Sequence, residues 1–462
     1  MSTQTVSNEL SKRDELLRQA AEIARKYAQG ISERRAAPSE KDLDDLAKFR
    51  EPFPETPSDP LQILEMLDRI GSPATMATTG GRYFGFVNGG TVPASLAANW
   101  LVGAWDQNAG MRVMSPVAVE LEDVVLRWVC EALGLPEKCE GGLVSCATTA
   151  SFTALVAARQ ALLARAGWNV ADDGMFGAPP LEVVVGDGVH VSVLKALSLA
   201  GFGRKRLTRV ETDDQGRMRA DKLPQLSDRT IVCIQAGNVN SGAFDPAAEI
   251  CARAHERGAW VHVDGAFGLW AAASPKYRHL TQGIDLADSW ATDAHKWPNV
   301  NYDCGIVLVK DGAPLRAAMT MTAAYLEAGA RREPMQHTPE SSRRARGVEL
   351  WAALKSMGQE ELCSLIERTC AHAKTFADRL RSAGFAVLND VVINQVLVSF
   401  GSAEITQKVI RAVQDDGTCW CGGTVWRGQP AMRISVSSWA TTEADVERSL
   451  EAILRMARTS RA

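Results

Sequence analysis

Apolar positions recur along this chain in two rhythms. Near the N-terminus, "NELSKRDELLRQAAEIARKY" sets Leu16, Ala20, Ile23 and Tyr27 at helical spacing with charges between them, which predicts an amphipathic helix. Such an arm cannot bury its stripe alone and is expected to pack on the main body or on a second subunit. "FREPFPETPSDP" then breaks the pattern with prolines, and a linker is expected over 49–60. From about 95 to 350 the rhythm changes. "LEVVVGD" (181–187), "TIVCIQA" (230–236), "WVHVDGA" (260–266) and "CGIVLVK" (304–310) are short apolar runs bounded by Gly, Asp or Asn. Runs of this kind fit strands buried on both faces. Helical patterns lie between them at 150–166 and 246–258, and "PVAVELEDVVLRWVCEALG" predicts a helix starting after Ser115-Pro116. The alternation predicts an α/β domain with a mixed, largely parallel sheet. Beyond about 350 a helix-rich stretch precedes "FAVLND", "VINQVLVSF" and "AMRISVSSW" and a closing helix, the pattern of a smaller α+β domain. The expected division is an arm and linker over 1–94, a large domain over 95–350 and a small domain over 351–462.

Composition narrows the function classes. The 462 residues are 46% apolar and 23% charged, with a net charge of −4, ordinary values for a globular protein. No basic run points to nucleic acid. The start, "MSTQTVSNELSKRDELL", is too polar for a secretory signal, and "VPASLAANWLVGAW" (92–105) is too short to span a bilayer. The ten cysteines are scattered; the one tight pair, Cys419 and Cys421, lacks metal-ligand partners at a suitable spacing. The expectation is a cytoplasmic protein with reduced thiols and no metal, acting on a small molecule.

Four stretches carry candidate chemistry. In "DSWATDAHKWPNVNYDCGIVLV" (288–309), Lys296 stands among apolar residues just before an apparent buried strand. A buried lysine is costly unless paired or neutral, and a desolvated one is suited to Schiff-base chemistry; a lysine that snorkels to the surface is the other reading. Asp264 ends the apolar run of "VHVDGAFG", where ligands of open α/β sheets sit. It could hold a protonated ring nitrogen or cap the next turn, and His262, on the same face, is readable as a core histidine. "GGLVSCATTASFTALVAAR" (141–159) offers a strand end, small hydroxyl residues and a helix start, which suits phosphate but also suits a simple N-cap. His190, past the strand of "VVVGDGVHVSVLKAL", could stack on a flat ring, carry protons or be polar surface.

Taken together, from about residue 60 to the C-terminus, these stretches resemble the group II pyridoxal-phosphate-dependent decarboxylases, the family of aromatic-amino-acid and glutamate decarboxylases. "HVDGAFG" followed by "DAHKW" is the most specific part. The resemblance implies a fold type I, aspartate aminotransferase-like architecture and an intimate homodimer with its active site at the interface. It implies that Lys296 holds pyridoxal 5'-phosphate as an internal Schiff base. His295, Ala147 and Thr148 would hold the phosphate, His190 would stack on the ring, Asp264 would pair with the ring nitrogen, and Ala266 and Asn238 would lie against the ring and its substituents. Arg433 would meet the substrate carboxylate. Phe86, Asn88 and Trp105 match positions that shape the substrate pocket, and they do not choose between an aromatic and a polar side chain. The implied reaction is decarboxylation of an L-amino acid to the amine and CO2.

Three departures from the family pattern bear on that reaction. Thr149 and Ser151 stand where many relatives have an acid and Asn. Counting back from Arg343-Arg344 places His337 where the family's mobile loop carries a proton-donating tyrosine, and no tyrosine follows Tyr325. His337 is therefore the expected proton donor. Other pyridoxal-phosphate chemistry, as a carbon–carbon lyase or as a decarboxylative oxidative deaminase giving an aldehyde, is the alternative. A catalytically silent homologue is disfavoured by the retained Lys296, His295 and Asp264.

Overall fold

The computed structural model describes residues 3–320 and 331–461. A seven-stranded sheet is built from β1 (Glu140–Val144), β2 (Glu182–Gly186), β3 (Leu207–Val210), β4 (Thr230–Gln235), β5 (Trp260–Asp264), β6 (Ser289–Asp293) and β7 (Gly305–Val309). Their order is β1-β7-β6-β5-β4-β2-β3. Only β7 runs against its neighbours, β1 and β6; the other pairs are parallel. Every strand except β7 therefore ends at the same edge of the sheet, where an α/β protein presents its ligand site.

Strands β2, β4 and β7 are largely apolar on both sides because both faces are covered. Val184, Val232, Val263 and Leu308 pack with Val125 and Val129 of the Pro116–Leu133 helix. Val183, Val185, Ile231 and Val307 pack with Leu155 and Leu162 of the Ala147–Arg165 helix. Pro116 opens its helix at the first position, which needs no amide proton.

The outer edge of β1 is closed by arginines. Glu122, fully buried, accepts from Arg343 Nη2 at 2.7 Å and from Arg332 Nη2 at 2.8 Å. The same guanidiniums donate to the free carbonyls of β1, Arg343 to Leu143 (2.6 Å) and Arg332 to Gly141 (2.7 Å). An exposed strand edge is a pairing hazard, and here side-chain donors take up its acceptors.

A second sheet, antiparallel and four-stranded, contains β8 (Ala386–Val387), β9 (Gln395–Ser399), β10 (Gly422–Trp426) and β11 (Gln429–Ser435), in the order β10-β11-β9-β8. Val396 and Met432 of this sheet share a core with Val409, Leu450 and Phe376 from three helices. The expected boundary at 350/351 falls inside the helix Arg346–Ser382. That element is broken instead at Gly358, whose φ of 60° a glycine adopts at little cost. Among the described residues, no helix is long and apolar enough to cross a membrane.

Candidate active site

The hairpin of β6 and β7 pairs Asp293 with Gly305, and β1 pairs Val144 with the same Gly305. This brings the start of the Ala147–Arg165 helix beside the 294–304 turn. A Cβ at Gly305 would press on the Cys146 backbone, so the close approach requires glycine. The turn carries Lys296 and is held from two distant segments. Asn299, buried in the left-handed region at φ 57°, donates to the carbonyls of Trp297 (2.6 Å) and Ser437 (2.9 Å) and accepts from Trp439 N (2.9 Å). Val92 N donates to Asn299 O at 2.9 Å. A Cβ at Gly89 would overlap the Lys296 carbonyl oxygen.

Lys296 Nζ lies 3.0 Å from Asp293 Oδ2, its side chain 18% exposed. Asp293 is 2% exposed; its Oδ1 accepts from Ala147 N at 2.6 Å, and its Oδ2 lies 3.6 Å from His295 Nε2. His295 Nδ1 accepts from Cys304 N at 3.1 Å, which leaves the proton of the neutral ring on Nε2, facing Asp293. Burial holds the His295 ring below its ordinary pKa. Tyr302 stacks on it at 4.2 Å, and the Tyr302 hydroxyl donates to Asn88 Oδ1 at 2.8 Å.

Asp264 ends β5, buried, and its Oδ1 accepts from Ala266 N at 3.3 Å. Burial pushes its carboxyl above the usual range, against the pull of His190 and Lys296. His190 is the N-cap of the Val191–Leu199 helix, its Nδ1 accepting from Ser192 N at 3.3 Å. Burial lowers the pKa of its ring, with Asp264 opposing and Lys296 and Arg433 adding to the shift. Arg433 on β11 donates to Val239 O at 3.4 Å. Ala147 and Thr148 open their helix, with free amide protons beyond the one that Asp293 takes. The structure thus gathers Lys296, His295, Asp264, His190, Ala147, Thr148, Ala266 and Arg433 at the carboxyl edge of the sheet.

Other expected residues are placed differently. The Asn238 amide is spent on its own turn, accepting from Asn240 N (2.9 Å) and Ser241 N (3.3 Å) and donating to Gln235 (3.2 Å). Phe86 is 61% exposed and stacks on Trp420 at 5.4 Å. Trp105, 42% exposed, ends the Pro93–Trp105 helix, which packs on the Arg346–Ser382 helix.

His337 stands apart from the cluster of its own chain. It is 1% exposed, with Nε2 3.0 Å from Glu140 Oε2 and Nδ1 3.1 Å from Glu333 O. Glu140 opens β1, the end opposite the helix start, about 13 Å along the strand at ~3.3 Å per residue. Burial and Arg332 hold the ring below its ordinary pKa. The expected proton donor on a mobile loop is thus found packed inside its own chain: counting back from Arg343-Arg344 located the position but not the packing that buries it.

Sequence reasoning missed Asp293 and Tyr302. An acid three residues before the lysine was the available signal for the first, and an aromatic in the same turn for the second.

A family model described as "Pyridoxal-dependent decarboxylase conserved domain" matches residues 44–401. The chain is 30% identical over 413 residues to tryptophan decarboxylase 1 of Oryza sativa subsp. japonica, covering 80% of this chain and 79% of that one. It is 28% identical over 373 residues to phenylacetaldehyde synthase of Arabidopsis thaliana, covering 74% of each. The fold superposes on the crystal structure of Oryza sativa TDC with PLP and tryptamine with a TM-score of 0.89 at 23% identity, covering 97% and 98% of the two chains.

Proposed function

The chain belongs to the pyridoxal-dependent decarboxylase family, pyridoxal-phosphate-dependent carboxy-lyases of fold type I, and on that premise we propose that it decarboxylates an L-amino acid to the amine and CO2 with Lys296 holding the cofactor. The observation that carries the reading is the placement of the Lys296 amine, reachable from solvent, among groups of matching chemistry: the buried Asp264 and His295 and the half-buried His190. When bound, pyridoxal phosphate supplies an electron sink for the carbanion left by departing CO2.

The chain's own residues do the remainder. Asp264, at the end of β5, keeps a proton on the ring nitrogen; the carboxylate form that burial disfavours is restored by a cation beside it. His190, neutral and fixed by Ser192, offers a flat face for stacking. The amide protons at the start of the Ala147–Arg165 helix and the Nε2 proton of His295 bind the phosphate. Ala266 is small enough to leave room for the ring. Arg433 binds the substrate carboxylate and so orients the bond to be broken across the ring plane, where it overlaps the π system. Phe86 and Asn88 face the substrate side chain, Asn88 carrying the Tyr302 hydroxyl. Trp100, Leu101, Trp105, Val113, Met114 and Val117 are all at least 42% exposed. An apolar surface of this extent supports a homodimer, in which Trp105 completes the partner's site.

A second reading is favoured by the burial of His337 away from the cluster, and one relative is a phenylacetaldehyde synthase. If no acid delivers a proton in time, the carbanion would meet O2, and with one water consumed the products would be aldehyde, ammonia, CO2 and hydrogen peroxide. Borohydride reduction followed by peptide mapping tests Lys296; label on another lysine refutes the assignment. A screen of the twenty amino acids for amine, CO2, aldehyde and peroxide separates the two outcomes.

A further inference from the structure

We propose that Asp293 is an internal competitor for the cofactor's phosphate: its carboxylate occupies the helix-start donor and the lysine, and an arriving anion must displace it. The proposal rests on the assignment of the phosphate to the start of the Ala147–Arg165 helix. Asp293 Oδ1 accepts the Ala147 amide proton at 2.6 Å, short for an N–H···O bond. A backbone amide has one proton to give, so it cannot serve Asp293 and a phosphate oxygen fully at once. The other carboxylate oxygen is 3.0 Å from Lys296 Nζ and 3.6 Å from His295 Nε2, the two further groups the cofactor needs. A helix start attracts anions, and here the chain supplies one from its own β6.

The consequence follows from burial. Asp293 is 2% exposed, so solvent screens little of its repulsion for a second anion at the same donors. Asp293 therefore prearranges the helix start, Lys296 and His295 around one negative charge, and weakens the binding of the phosphate that replaces it. It is a positioning residue: it orients the groups that hold the cofactor without reacting.

The test uses the full chain freed of cofactor, with Asp293→Asn and Asp293→Ala, each titrated with inorganic phosphate, pyridoxal phosphate and pyridoxal by calorimetry. Both variants are expected to bind inorganic phosphate and pyridoxal phosphate at least about tenfold more tightly, while pyridoxal affinity changes by less than about threefold. Equal tightening for pyridoxal would place the effect on Lys296 and overturn the proposal. Tightening by Asn alone would reflect a new amide donor and overturn it too, as would unchanged or weaker phosphate binding in both. Borohydride labelling on the same samples keeps the underlying reading separate: cofactor fixed on Lys296 with unchanged phosphate affinity refutes the competition alone, whereas label elsewhere removes the site assignment and the proposal with it.

Discussion

Replacing Glu122 by glutamine removes one charge and almost no volume from the arginine-closed edge of β1. Both oxygens of Glu122 are engaged, by Arg343 at 2.7 and 3.2 Å and by Arg332 at 2.8 Å, and Leu143 N points at it from 3.5 Å. Arg332 keeps Asp123 as a second partner at 2.8 Å, but the Arg343 side chain is 0% exposed and has only the Leu143 carbonyl left. Breaking a buried pair by removing one partner costs about 3–5 kcal/mol, and the stranded Arg343 puts E122Q in that range. For a chain of this size, near ~1 °C per kcal/mol, the midpoint of thermal unfolding should fall by about 3–5 °C. Burial alone would raise the Glu122 carboxyl, yet Arg343 and Arg332 outweigh it and hold the folded value below the ordinary one. The stabilisation is therefore complete above the unfolded value near ~4.3 and is lost as pH falls through the lower folded value. The gap between wild type and E122Q should be full at pH 7 and close in acid. Removing both partners, as in E122Q with Arg343→Met, should recover part of the loss, because the stranded cation is gone. Calorimetric scans across pH measure all of this; an E122Q midpoint within about 1 °C of wild type at pH 7 refutes the reasoning.

Three further outcomes are expected. Asp264→Asn should retain cofactor but slow turnover by about two to three orders of magnitude, the worth of a few kcal/mol of lost charge stabilisation; near wild-type kcat would make Asp264 a structural cap. Gly89→Ala, whose methyl would overlap the Lys296 carbonyl, should cost about 3 kcal/mol or more and abolish cofactor absorbance, and a stable yellow variant would contradict it. His337→Phe, which leaves the Glu333 carbonyl without its imidazole partner while Glu140 keeps Arg316, should lower stability by about 1–3 kcal/mol and leave the ratio of amine to aldehyde unchanged; loss of amine at unchanged stability would return the proton-donor role to His337.

The strands legible in the sequence were those buried on both faces: "VVV" of β2, "IVCI" of β4 and "GIVLV" of β7 are continuous apolar runs. "SWATD" of β6 was not recognised as a strand, because one of its faces carries Ser289 and Asp293. Those polar groups are paired by residues far away in the chain, Ser289 with Trp260 and Asp293 with Ala147. The same separation explains the site. Lys296, His295 and Asp264 belong to compact motifs and could be picked out by type and spacing. Asp293 stood in plain view three residues from the lysine, but its meaning depends on an amide in another helix. His337 failed for the converse reason, since its offset from Arg343 says nothing about the glutamate that buries it.

The grip on the lysine turn also bears on how the protein is made. Asn299 is fastened by Ser437 and Trp439 near one end of the sequence and by Val92 near the other. A ribosome-bound chain that has already exposed Lys296 still lacks the segment that locks it, so the turn is fastened only once residues 437–439 have been made. Fragments ending before residue 437 carry Lys296 on an unfastened loop. Because a ligand that binds only the native state stabilises it, the cofactor would selectively retain chains that include residues 437–439, acting as a quality check on biosynthesis as well as a reagent.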